Sequence, residues 1–253
     1  MADVMEGGKS KAQVVADSIN RILRETIVVC SKSEGVRNYF DVGVLAYGAQ
    51  GAQNAFHGAL GTRILNPISE LANNPLRIEE RDKRVSDGVG GLVVQRVRVP
   101  IWFDPIANGG TPMCEAIRMA GIEIAAWCDN HPNAFPLVIL NITDGEPTDG
   151  DPEAITETVK QIHTNDGNVL FFNLHISSRS PHPILFASEE SGLPDEYARR
   201  LFRMSSVLAP KMRDNAVSQG FAVNECSRGY AYNADMEALV TFLEIGTRPA
   251  NLR

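Results

Sequence analysis

Hydrophobic positions along the chain follow two periods in turn. Ala12, Val15, Ala16, Ile19, Ile22 and Leu23 have helical spacing, so Ser10 to Arg24 is predicted as an amphipathic helix. "YFDVGVLAY", Tyr39 to Tyr47, reads as a buried strand. "LVVQRVRVPIW", Leu92 to Trp102, alternates with period two as a half-exposed strand does. These two strands are expected to pair as a hairpin around an insertion, residues 49–91. Within it "EERDKR", Glu79 to Arg84, reads as a solvated charged turn.

"NGGTP", Asn108 to Pro112, then opens a helix on which Met113, Ala116, Ile117, Ala120 and Ile124 form one apolar face. Pro136 to Ile142 is a nearly continuous apolar run, the pattern of a central strand covered on both faces. A helix from Pro152 turns Ile155, Val159 and Ile162 inward, and Val169 to Ile176 is another buried strand. In the last third, Tyr197, Ala198, Leu201 and Phe202 share a helix face that Ala209 to Ser218 continues. A short strand, Gly229 to Tyr232, precedes a closing helix, Met236 to Leu243. Alternating strands and helices define an α/β chain with a mostly parallel sheet, read as one domain over residues 1–253. Such sheets bind ligands beyond the carboxyl ends of their strands.

Composition narrows the function. The 253 residues, 43% hydrophobic, are enough for a full core. A net charge of −7 argues against a nucleic-acid partner, which needs a cationic face. Cys30, Cys114, Cys128 and Cys226 form no CxxC pair and read as thiols in a reducing compartment. No apolar run approaches the ~18 residues of a membrane span, and the polar start, Met1 to Lys11, is no secretory signal. The expected location is the cytoplasm.

The candidate chemistry lies in "VILNITDGEPTDGDP", Val138 to Pro152. Asp144 directly follows a buried strand, so its carboxylate emerges at the ligand-binding edge. Hard cations take oxygen ligands, often one or two carboxylates with hydroxyls and waters. Thr111 offers a hydroxyl behind two glycines that let the backbone turn sharply. Each residue also has a plainer reading. Thr111 suits the N-cap of a helix with Pro112 at its first position, and Asp151 does the same before Pro152. Glu146 and Asp149 read as solvated acids.

Together, "GGTPMCEAI" and an apolar strand ending in "TDGEPTDGD" resemble the von Willebrand factor type A domain, closest to its bacterial, stand-alone cytosolic members. The resemblance runs from about residue 8 to the end. It implies a Rossmann-like, doubly wound sheet and a metal-ion-dependent adhesion site. That site combines an Asp-x-Ser-x-Ser after the first strand, a Thr in a glycine-rich turn, and an Asp after a later strand. Thr111 matches the second element and Asp144 the third. The Asp-x-Ser-x-Ser is absent: Asp3, Met5 and Gly7 have its spacing without the hydroxyls. The expectation is a chain truncated ahead of Met1, lacking the family's central first strand.

By this resemblance Thr111 binds Mg²⁺ or Mn²⁺ directly and Asp144 binds it through water, weakly if at all in this chain. The implied function is a protein-interaction module, not an enzyme, in which an acidic side chain of the partner completes the cation's shell. Ser177 to Pro194 and Gly48 to Gly91 are candidate specificity loops. Phosphatase, kinase or stress-response components are the implied partners, with no membrane or nucleic acid. The alternatives are a metal-assisted hydrolase or phosphotransferase using Asp144, and a metal-independent structural domain. "GGKS", Gly7 to Ser10, is no P-loop, because Asp3 stands where that motif needs glycine; Ser10 reads as a helix cap. His175 reads as a core residue, and the histidines show no zinc-ligand spacing.

Overall fold

A computed structural model describes residues 1, 8–86, 91–176, 183–234, 240–242 and 245. The chain forms two compact units. One comprises Met1–Ser18, Leu45–Gln53 and Ile106–Arg253, the other Ile19–Val44 and Asn54–Pro105.

Helix α1 (Lys11–Cys30) begins as its sequence predicts, with the Ser10 hydroxyl accepting from the Gln13 N–H at 3.2 Å. It runs past Arg24 through "TIVV", a β-branched run of low helix propensity. Cys30 at its end is buried, whereas Val28 and Val29 are exposed.

The first unit adds a hairpin, β1 (Leu45–Gly48) with β2 (Gly51–Asn54). The second unit holds α2 (Ile68–Asn73), β3 (Arg77–Ser86) and β4 (Leu92–Ile101). The first then continues with α3 (Met113–Asn130), β5 (Val138–Thr143), α4 (Pro152–Val159) and β6 (Leu170–His175). It ends with β7 (Ile184–Leu185), α5 (Glu196–Met204), α6 (Pro210–Ser218) and β8 (Tyr230–Tyr232).

The class is α/β, around a mixed four-stranded sheet of order β7-β8-β6-β5. Strands β5, β6 and β8 are parallel, and β7 runs antiparallel on β8. Met113, Ile117 and Ile124 of α3 belong to its core with Val159 of α4, Phe171 of β6, and Leu201 and Phe202 of α5. Each such side chain, fully buried, contributes about 1.5–3 kcal/mol. His175 belongs to this interior too, edge-on to Tyr197 at 5.0 Å and to Tyr232 at 5.1 Å.

A polar line crosses the core. Tyr47 donates to the Asn141 side-chain carbonyl at 2.8 Å, and Asn141 donates to Asn173 at 2.8 Å. Asn173 in turn donates to the Leu201 carbonyl and the Ser205 hydroxyl, each at 3.0 Å. Asn141 and Asn173 face each other in the β5–β6 register, so their amides are satisfied only in that register.

Several expectations are corrected. Among the described residues β5 is not central: it is the outermost strand of the four, and Val138 to Leu140 are only half-buried. Its apolar run signalled two covered faces but carried no information about strand order. The Thr143 carbonyl accepts from Ile176 in line with β6, whereas the Ile142 carbonyl turns the other way and accepts from Tyr47. Among the described residues no strand joins β5 on that outer side.

Leu92–Ile101 does not pair with Tyr39–Tyr47. It pairs residue for residue with Arg77–Ser86, so "EERDKR" is strand, not turn. Tyr39–Tyr47 is broken: Asp41–Val42 pairs with Asn66–Pro67, and Leu45–Gly48 enters its own hairpin. Helices α5 and α6 are separate, because Ser205 is extended and Pro210 starts a new helix. The closing helix, Met236 to Leu243, falls largely outside the described residues, as does Ser177 to 182 of the proposed loop. No described helix is long and apolar enough to cross a membrane.

The second unit is built around Trp102, whose indole N–H donates to the Leu71 carbonyl at 2.7 Å. The Asn20 side chain accepts from the Trp102 N–H at 2.8 Å and donates to the Phe103 carbonyl at 3.1 Å, clamping that segment to α1.

In the first unit, a Cβ on Gly229 would stand 2.1 Å from the buried Phe172 ring. Gly229→Ala is therefore expected to lower stability by about 1–3 kcal/mol. A shift of the urea midpoint in a denaturation curve measures it.

Candidate functional site

Two loops distant in sequence meet at the carboxyl end of β5. The first is the turn before α3. Gly109 and Gly110 take left-handed φ values of 78° and 70°. The Asn108 side chain accepts from the Ala49 N–H at 3.2 Å, docking the β1–β2 turn on it. The second loop, Asp144 to Asp151, leaves β5. The Thr111 N–H donates to the Thr148 hydroxyl at 3.1 Å, and the Thr148 N–H donates to the Thr111 carbonyl at 2.9 Å.

The strongest link is Asp149. Its carboxylate accepts from the Cys114 N–H at 3.1 Å and the Glu115 N–H at 2.8 Å. These are orphan donors in the first turn of α3, where the helix dipole favours an anion. Asp149 is thus the cap of α3, not a merely solvated acid. Thr111 does not cap α3; Pro112 takes the cap position with no side-chain bond. Asp151 does cap α4, accepting from Glu153 at 3.0 Å with Pro152 in the first turn. Glu146 is exposed.

The interlock brings Thr111 and the Asp144 loop together. The Thr111 hydroxyl stands 3.1 Å from where a Cβ on Gly145 would be, so only glycine leaves this contact free of crowding. The Gly145 carbonyl accepts from the Thr143 hydroxyl at 2.9 Å and from Tyr197 at 2.5 Å, which fixes the turn at Asp144. The Asp144 carboxylate pairs with the Met1 amino group, and the Lys11 Nζ lies 3.9 Å from it. Lys11 is a buried lysine, its side chain 7% exposed.

The sequence reading missed Lys11 and Asp149. Lys11 had a signal: with Val14, Ser18 and Ile22 it lies on the buried stripe of α1, where a lysine is rare unless paired. Asp149 had none, because its partners are backbone groups of a distant segment. Among the described residues no three Asp, Glu, His or Cys side chains converge to hold a metal. An open groove lined by Lys160, Leu170, Ser206 and Arg228 sits at the opposite, amino end of β6. Neither a scan against protein-family models nor searches of curated proteins and of solved structures returned a match.

Burial raises the phenol pKa of Tyr47, Tyr197 and Tyr230 above the ordinary tyrosine range. A neutral acid with a raised folded pKa stabilises the fold below its unfolded pKa, and that stability is lost as pH rises toward the folded pKa. Stability is therefore expected to fall above about pH 10, the unfolded phenol value. The phenolate absorbance of these three tyrosines should appear together with unfolding and not before it. Burial, then the charge of Asp149, also raises the Cys114 thiol.

Asp149→Ala is expected to cost about 1 kcal/mol through loss of the α3 cap. Asp149→Asn should recover part of it. Thermal or urea unfolding of the three proteins reads the difference.

Proposed function

We propose that the chain is a protein-interaction module of von Willebrand A type, on a Rossmann-like, doubly wound sheet whose parallel strands include β5, β6 and β8. The resemblance implies a further strand on the outer side of β5, the edge that no described strand occupies. The observation that carries the reading is the meeting of Thr111 with Gly145, next to Asp144, at the carboxyl end of β5. That is the edge where open α/β sheets bind ligands.

Mg²⁺ or Mn²⁺ takes oxygen donors, and a hydroxyl and a carboxylate are donors of the right kind. They are two where a hard cation takes about six, and Lys11 faces the same carboxylate. The residues present fit such an ion only in part, so this chain holds it weakly and against competition from Lys11. An acidic side chain of a partner protein would add an oxygen donor, and the surrounding loops would select that partner. A cytoplasmic phosphatase, kinase or stress-response component is the partner class the resemblance implies. No catalytic residue is assigned.

The Lys11–Asp144 pairing also favours a second reading, a metal-independent interaction domain in which the lysine neutralises Asp144 permanently. Calorimetric titration with MnCl₂ of the parent, Asp144→Ala and Thr111→Ala separates the two. Weak binding in the parent that both substitutions abolish is the expected result. Equal binding in all three overturns the assignment of these residues. No binding in any, with partner capture indifferent to chelator, establishes the metal-independent form.

A further inference from the structure

Lys11 stands where two rules disfavour a lysine. Its side chain is 7% exposed, and a lysine is seldom buried unless paired. It is also the first residue of α1, where the helix dipole opposes a cation and no acid lies in the first turn. Lys9 is different: it precedes the helix, is half-exposed, and reaches Asp17 at 2.6 Å. The Lys11 Nζ instead lies 3.9 Å from the Asp144 carboxylate, itself only 16% exposed. Charges held this far from water interact more strongly than the same charges on a surface. Ser10 caps α1, and Val14, Ser18 and Ile22 on the stripe of Lys11 are buried, so the backbone here is fixed. Only the flexible four-carbon stem of Lys11 can withdraw the ammonium.

We propose, on the assignment of Asp144 as a metal-facing residue, that Lys11 is a built-in counter-ion that a divalent cation must displace. The ammonium and the ion are drawn to one carboxylate, and in so dry a place each repels the other. The lysine is tethered, so its effective concentration at Asp144 far exceeds that of a free ion. The Lys11–Asp144 pair is therefore the resting state of the site. Lys11 sets the ion concentration at which Thr111 and Asp144 begin to bind, and its stem swings away when they do. The pairing is thus a threshold, not a permanent neutralisation.

Electron paramagnetic resonance of MnCl₂ titrated with the whole chain reads the free ion directly. Parent, Lys11→Met, Lys11→Gln and Lys11→Arg are compared; the Met1 amino group, which pairs with the same carboxylate, is common to all four. The two neutral variants should bind Mn²⁺ at least about tenfold more tightly than the parent, and Lys11→Arg no more tightly. Without metal they should melt below the parent, because Asp144 loses a partner, and MnCl₂ should raise their melting temperature by more than the parent's. Neutral variants that melt lower yet bind Mn²⁺ no better than the parent show a merely structural lysine and overturn the proposal. If that equal binding is lost in Asp144→Ala, the metal site itself still stands. No Mn²⁺ binding in any of the four overturns the counter-ion role and the metal site together.

Discussion

The carboxylate of Asp149 on the first turn of α3 is the contact on which the candidate site depends. A helix begins with backbone donors that have no partner inside it, and their dipoles sum to a partial positive charge. Here those donors are satisfied from another loop, so the cap ties two segments together as well as ending a helix. The reciprocal bonds between Thr111 and Thr148 then have a fixed frame, and the Thr111 hydroxyl comes to rest against Gly145. The absent side chain of that glycine matters as much as the hydroxyl. Electrostatics at the helix end and steric emptiness beside Asp144 set the geometry jointly.

Beneath this edge, the line from Tyr47 through Asn141 and Asn173 to Ser205 makes the sheet specific. Burying amides costs free energy unless each finds its partner, and here the partners exist in one strand register only. Apolar side chains alone would tolerate a slide of β5 along β6 by two residues, because the same face would remain inward. The asparagines penalise that slide. Since Asn173 also holds the end of α5, the position of Tyr197 over the Gly145 carbonyl follows from the register. Sequence polarity at two core positions therefore reaches the surface loop.

The helices were legible because their apolar stripes are long and periodic, as on α3 and α5. The parallel strands were legible as apolar runs, but their order was not: the outermost place of β5 depends on which segments pair, and no local pattern encodes that. "EERDKR" misled because charge density suits a turn, whereas a ribbon on which Glu79 to Asp82 all reach solvent tolerates charge within a strand. Of the site, Thr111 and Asp144 were nominated together by the resemblance their two motifs carry, and the structure brings their loops together. The capping role of Asp149 was invisible, since its donors are main-chain groups that every sequence possesses. Lys11 could have been found by asking which charged residue interrupts a buried stripe.

The outer edge of β5 has a consequence for how this sheet breathes. Carbonyls of Leu137 and Thr143 accept from the Leu170 and Ile176 amides, so the odd-numbered residues of this stretch turn their backbone groups toward β6. The even-numbered residues, Val138, Leu140 and Ile142, turn theirs outward. Adjacent amides on one strand thus belong to different kinetic classes of hydrogen exchange. Odd positions exchange only when the sheet itself opens, while even positions report on whatever lies along that edge. A single strand of this protein carries, residue by residue, a record of its own stability interleaved with a record of its neighbours.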